Sequence, residues 1–488
     1  MPRSIAPELS APPLATTASA SQAAGLGLGG LLLLAAGVTG NLVFGASTLA
    51  LPALEGALSL TPAEGTMVVA LYSAGFAASL VLGGRLGDAW GRRRMLRLAL
   101  AALIPASLLV ALAPGAGILL AARIAQGIAC GLVLPQVLST IQHTTRGPAR
   151  TRWTGAYAAV VGGGTALGQI GAGVLVTADP FGLGARLSLA GVALVAMIVL
   201  AASGTIPETR SPLGSVPDPL GAVLLGAAII TLVLPLGLSA MAGAGTIVLL
   251  LVLSTTLFLA FLLWQRHRTP RRALVPLPAL RERPLQIGLA QTLLFFAGYG
   301  GFTYYFSTTL QAGLGLEALP TSVLLMPFAA GFVIASALLP LLQNRTTPRR
   351  TMAVGVAAQV PLLGVIAAVI EAGTQAPPLV LLCLLLTLLG LAQAAMYCPL
   401  IGSVMGSLET GLSGVASGLF STVQQLGIAL GVPLFGLVLG ALPSAPGHAF
   451  VLCAGVQILC GAVFAALLVR RRRPSVPPAG LEPALCRF

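Results

Sequence analysis

The feature that most constrains this chain is its succession of long apolar runs, each separated from the next by a few polar residues. The first runs from Leu26 to Ala53, and others follow near 66–84, 97–113, 117–140, 153–176, 185–204, 219–241, 245–264, 287–311, 320–342, 351–371, 377–404, 412–440 and 447–469. A helix needs roughly 20 apolar residues to cross about 30 Å of hydrocarbon, and inside a bilayer a helix satisfies its own backbone hydrogen bonds. The pattern therefore predicts an all-α integral membrane protein with fourteen spans. A composition 57% hydrophobic and only 8% charged agrees, since soluble globular domains carry about 25% charged residues.

The charges that remain are placed asymmetrically. All 26 basic residues are arginine, and most gather at Arg92–Arg97, Arg146–Arg152, Arg266–Arg283, Arg345–Arg350 and Arg470–Arg473. These gaps alternate with gaps that hold almost none, which is the positive-inside asymmetry. It predicts a cytoplasmic side for the arginine-rich ends and, with an even number of spans, for both termini. The net charge of +14 thereby follows from topology, with no nucleic-acid partner. Trp90, Trp153 and Trp264 fall at the same ends, where indole rings anchor at lipid headgroups.

The tail 1–24, rich in Ala, Ser and Pro, is expected to be disordered, and both it and the tail 471–488 to be cytoplasmic. Five of six cysteines sit in apolar runs and read as packing residues. His143, His267 and His448 lack ligand spacing, so neither metal nor cofactor is expected, and no catalytic constellation points to an enzyme. A weak internal echo links "GGRLGDAWGRRRMLRLALA", after the second run, to "LLPLLQNRTTPRRTMAVGV", after the tenth. It implies two related six-helix bundles, 25–204 and 287–470, with 205–286 supplying two inserted helices and their loops.

Three stretches carry more than apolarity. In "GGRLGDAWGRRRML" the residues Gly84, Leu86, Asp88, Gly91, Arg92 and Arg93 are spaced in a way that a merely basic loop leaves unexplained. In "ARIAQGIACGLVLPQ" a charge, Arg123, lies within a span beside Gln126 and Gly127. Intramembrane charge is costly and tends to be functional, although an arginine near a helix end also snorkels to the surface. "GGGTALGQIGAGV" concentrates Gly164, Gly168, Gly171 and Gly173 around Gln169, a density that lets helices approach closely and bend.

These stretches resemble, in order, the helix 2–3 loop, the Arg-x-x-Gln-Gly pattern and the antiporter motif of the major facilitator superfamily. With "LALP" at Leu49–Pro52, Tyr72, "TTLQAGLGLEALPTSVLLMP" and "GVASGLFSTVQQLGIALGV", the chain is similar to the fourteen-span drug:proton antiporter family over most of its length. The resemblance implies a secondary transporter exporting amphipathic small molecules, drugs or antibiotics, with protons as coupling ion. It implies a conformational latch at Gly84, Asp88, Gly91, Arg92 and Arg93, with Asp88 against the start of the thirteenth span near Leu412–Gly414, and a coupling role for Arg123, Gln126 and Gly127.

Two positions depart from the family. Val43 stands where an aspartate is usual, and Gln169 where a proline is usual. Without the first-span acid, a peripheral one must carry any proton, and Glu55 is the first choice; a solvated loop glutamate is the alternative. By position, Asn41, Thr48, Tyr72, Gln126, Gln136, Gln291, Tyr299, Tyr304 and Gln424 are candidates to line the substrate cavity, with interhelical hydrogen bonding as the other reading of each. An uncoupled facilitator or metabolite importer, and a non-transporting scaffold or sensor, are the rival functions.

Overall fold

The computed structural model describes residues 26–210, 216–238, 243–269, 273–275, 277–342, 346–372, 378–407, 413–442 and 444–470. Seven helices come first: α1 (Gly27–Leu58), α2 (Pro62–Trp90), α3 (Arg92–Leu112), α4 (Ala116–Thr144), α5 (Gly147–Ala178), α6 (Gly184–Ala190) and α7 (Val192–Ala202). Then come α8 (Pro219–Leu238) and α9 (Ala244–Arg266), followed by α10 (Arg283–Thr308), α11 (Ala318–Leu342), α12 (Pro348–Glu371), α13 (Leu379–Met405), α14 (Ser413–Gly440) and α15 (Pro446–Arg470). Short α6 and α7 form one span, stepped at Gly191. Among the described residues 13 segments are long and apolar enough to cross a membrane. The remaining span is α10, whose glycines, threonines, tyrosines and glutamines dilute its apolarity over 26 residues.

Local signals set several helix starts. Thr61 and Glu64 form a reciprocal capping box ahead of α2, with Pro62 in the first turn. The Thr347 hydroxyl accepts from the Arg350 amide to open α12, again with a proline, Pro348, in the first turn.

The helices pack as two six-span bundles, α1–α7 and α10–α15, with α8 and α9 outside them. Within the first, α2 lies against α4, α1 against α5, and α3 against α4; within the second, α11 lies against α13, α10 against α14, and α12 against α13. Shifting each helix to its counterpart reproduces the pattern, and the bundles join through two matched contacts, α2 with α14 and α5 with α11. This is the internal echo of the sequence written in three dimensions.

Glycines make the matched contacts close. A Cβ on Gly127 or Gly75 would strike the backbone of Tyr72 or Ile124 between α2 and α4, and one on Gly331 or Gly390 would strike Thr387 or Phe328 between α11 and α13. In lipid, where apolar tails compete with apolar side chains, such backbone approach is what holds helices together. Helix α8 leans on α2, whereas α9 turns Leu249, Val252, Leu259 and Leu263 outward.

Candidate functional site

Between the bundles runs a narrow cleft with two unlike walls. The α5 wall presents Gly162, Thr165, Ala166 and Gln169, spaced so that they share one helical face. Opposite stand Tyr299 and Thr303 of α10 and Phe328, Ala329 and Phe332 of α11. Behind them the aromatic wall deepens: Phe295 stacks on Tyr299 at 6.4 Å and on Tyr397 at 5.6 Å, their rings inclined by only 14° and 17°. Phe332 and Phe420 also pack on Tyr397, at 5.6 and 6.2 Å. Among the described residues no carboxylate lines the cleft.

Deep inside the first bundle Arg123 is held, among the described residues, without an acid. Arg123 is fully buried; its Nε donates to the Val68 carbonyl at 2.8 Å, one terminal nitrogen to the Ser47 hydroxyl at 2.6 Å, and the other to Gln126 Oε1. Its guanidinium carbon lies 4.4 Å from the centre of the Tyr72 ring, a cation–π contact that stabilises charge in a dry site. Gln126 passes the network on through its amide to Ser107 and the Leu189 carbonyl, both at 3.0 Å. Ser47 donates in turn to the carbonyl of Val43, the residue standing in place of the family's acid.

The arginine-poor end is shut by contacts between bundles. Gln311 donates to the Leu49 carbonyl at 3.0 Å, and the Leu319 amide to the Thr177 hydroxyl at 3.3 Å. Gly173 of α5 packs on Leu319 and Ser322 of α11. At the same end the Glu55 carboxylate lies against Gly65 of α2, close to Tyr304 of α10, whose hydroxyl points at Gly436 beside Thr66.

At the arginine-rich end, Gly91 breaks α2 from α3 with φ +99°, a backbone that side chains avoid. Across the break Asp88 accepts from Arg92 at 2.8 Å, and Arg92 is buried where it also reaches the Ser139 carbonyl and Thr209. The segment after α7 straps this loop: the Arg93 amide donates to Glu208, its guanidinium to the Ile206 carbonyl, and the Arg92 amide to the Thr209 carbonyl. Gln136 supports it from α4 by donating to the Gly83 carbonyl at 2.7 Å, its amide seated on Gly87, while Gly84 faces Pro135. Of the anticipated partner near Leu412–Gly414, Leu412 and the side chain of Ser413 lie outside the described residues.

The candidate cavity residues thus separate into groups. Tyr299 and Gln169 line the cleft, and Asn41 packs beside Gly164 on the neighbouring α1–α5 contact. Tyr72, donating to the Gly40 carbonyl, Thr48, donating to that of Gly45, and Gln126 and Gln136 sit inside the first bundle. Gln291 sits inside the second, donating to the Phe464 carbonyl, while Gln424 is half-buried on α14. Gly168 meets the backbone of Leu42, whereas Gly171 faces outward with nothing near it. Sequence reasoning missed Phe295, Phe328, Phe332, Tyr397, Ser47 and Glu208. Aromatic residues in apolar runs look like core, and no spacing pairs Glu208 with a residue more than a hundred positions earlier.

The arrangement is a narrow cleft on the joint between two matched halves, with contacts between those halves closing its arginine-poor end. The profile of the Major Facilitator Superfamily matches residues 32–432, and the chain belongs to that family. It is 31% identical over 380 residues to the probable actinorhodin transporter of Streptomyces coelicolor, a match taking in 76% of this chain but only 65% of that protein, less than two thirds of its length. To the puromycin resistance protein of Streptomyces alboniger it is 30% identical over 399 residues, 80% of this chain and 77% of the relative. The crystal structure of an auto-inhibited POT family peptide transporter superposes with a TM-score of 0.66 at 18% identity, covering 93% of this chain and 99% of the other, a likeness of fold alone.

Proposed function

We propose that this chain is a secondary active exporter of amphipathic small molecules, drugs or antibiotics among them, that works by rocking its two bundles about the central cleft. The observation that carries the reading is the cleft itself, polar on its α5 face, aromatic on the other and lying on the joint between the halves. The names of the relatives, one a transporter and one a resistance protein, support export as the direction. The arginine-rich ends and both termini face the cytoplasm in this reading, so the closed end is the outer one. The chain divides into bundles at 25–204 and 287–470, with the inserted pair in 205–286 and cytoplasmic tails at 1–24 and 471–488. Its partners are lipid and cargo, with no cofactor, metal or nucleic acid and no enzymatic step.

Protons drive the cycle through Glu55. Its support is position: a half-buried carboxylate at the closed outer end, touching α2 and facing Tyr304 across the joint, in a protein whose first-span position 43 is a buried valine. Separation of the bundles at that end exposes the carboxylate to the outer medium, where it takes up a proton. Arg123, Gln126 and Gly127 brace the first bundle as it moves, and the Asp88–Arg92 pair with Gly84, Gly91 and Arg93 latches the inner end.

The test is efflux from proteoliposomes under an imposed pH gradient. A gradient of the correct sign should accelerate efflux by about tenfold, an uncoupled facilitator should only equilibrate its cargo, and a scaffold should move nothing. Glu55→Gln should abolish the acceleration. An unaltered gradient response in that variant removes Glu55 as the carrier.

A further inference from the structure

The cleft contains one polar group that nothing among the described residues satisfies. Gln169 is only 4% exposed, yet its Nε2 has no hydrogen-bond partner among the described residues. A buried donor left unmade is costly, and such a group is a place where a ligand gains by arriving. It sits on α5 one turn beyond Thr165, directly across the cleft from Tyr299, Phe328 and Phe332.

We infer that Gln169 determines specificity: with the aromatic wall opposite, it selects flat, conjugated molecules that bear a hydrogen-bond acceptor on the ring system. The inference rests on the export reading and names the cargo class for that site. Flatness follows from the wall, because three rings, Tyr299, Phe328 and Phe332, line it opposite α5, with Tyr299 and Phe328 inclined by 32° and Tyr299 backed by Phe295 at 14°. The acceptor follows from the amide, whose unspent N–H needs a ring carbonyl or phenolate oxygen. Charge follows from the lining: with no carboxylate among the described residues there, a cation entering the low-dielectric joint finds no counter-ion, whereas an acceptor oxygen, neutral or anionic, finds the Gln169 N–H. Gln169 therefore does for recognition what a proline at that position cannot, since proline has neither donor nor length.

Equilibrium binding to the purified full-length protein tests this, with three anionic probes that share a sulfonate. Anthraquinone-2-sulfonate and anthracene-2-sulfonate differ only in the two ring carbonyls, and dodecanesulfonate lacks the flat ring. The quinone should bind roughly tenfold more tightly than anthracene-2-sulfonate, and both should bind more tightly than dodecanesulfonate. Gln169→Met, close in volume but without the donor, should bring the quinone and the anthracene to equal affinity. Gln169→Asn, which keeps an amide, should retain part of the difference and shows that the site tolerates substitution. Equal affinity of the two ring probes in the unaltered protein, or a ratio unmoved by Gln169→Met, overturns the inference, as does absence of quinone binding. Export is judged separately: quinone binding with the expected ratios but no transport in either direction in proteoliposomes refutes the exporter and leaves the role of Gln169 standing.

Discussion

Arg123 shows how far a single residue is readable before its surroundings are known. Its charge inside an apolar run marks it as functional, and charge alone would let a lysine stand in. The structure adds three acceptors in three directions, Val68, Gln126 and Ser47, and an aromatic face beneath the guanidinium plane. An ammonium has neither the fork nor the plane, so Arg123→Lys should lose at least about tenfold of transport and Arg123→Ala nearly all of it. Arg123→Ala should also lower the thermal midpoint of the purified protein, with roughly 1–3 kcal/mol for each partner left unsatisfied. A lysine variant transporting normally would return the residue to a role of charge alone. Val43 is the converse case. The sequence exposes the missing acid at once, but only the structure shows that Ser47 links its carbonyl to Arg123. Val43→Asp places a carboxylate one helical turn from Ser47 and should confer efflux of a dicationic dye that the unaltered protein handles poorly; dye efflux that stays at background counts against this placement.

Elements were more legible than residues. Helix number and approximate bounds follow from apolar length, because a bilayer permits almost no other solution. Glycine density likewise announces close packing, but spacing alone does not say what each glycine meets: Gly168 touches the backbone of α1, while Gly171, three residues on, touches nothing. The asymmetry is testable with one pair of variants. Gly168→Val should push α5 from α1 and cost about 1–3 kcal/mol, read as a fall in thermal midpoint, whereas Gly171→Val should be silent. At the α2–α3 break the positive φ of Gly91 and the Asp88–Arg92 pair act together. Asp88→Asn should slow transport several-fold with membrane insertion intact, because the pair is partly exposed and contributes little to stability. Gly91→Ala should do more, since its Cβ also meets Glu208. If Asp88→Asn transports at the normal rate, the loop is a structural joint only.

At the scale of the whole molecule the matched packing of the two halves was foreshadowed by a faint repeat, while the joint between them was invisible to sequence: its contacts join residues far apart in the chain, such as Leu49 and Gln311. The closed end offers a direct handle, since a Cβ on Gly173 would stand 3.0 Å from that of Ser322, so that a small parting of α5 from α11 reaches the roughly 3.5–4.5 Å of a disulfide. The double variant Gly173→Cys with Ser322→Cys should stop transport when oxidised and recover on reduction; undiminished transport in the oxidised form means that this end does not open. The placement of charge within the rocking halves has an electrical meaning. Among the described residues Arg123 is the one ionic side chain buried away from the helix ends, and it is bonded to its own bundle alone. The bundles then carry through the membrane field, as they tilt, only this one fixed charge and the proton assigned to Glu55, and the rest of the voltage dependence falls on the cargo. At about 2.3 kcal/mol per charge per 100 mV, a cell interior held negative pushes an anion outward and holds a cation back. For an anionic molecule such a protein would draw on the membrane potential even before a proton is counted.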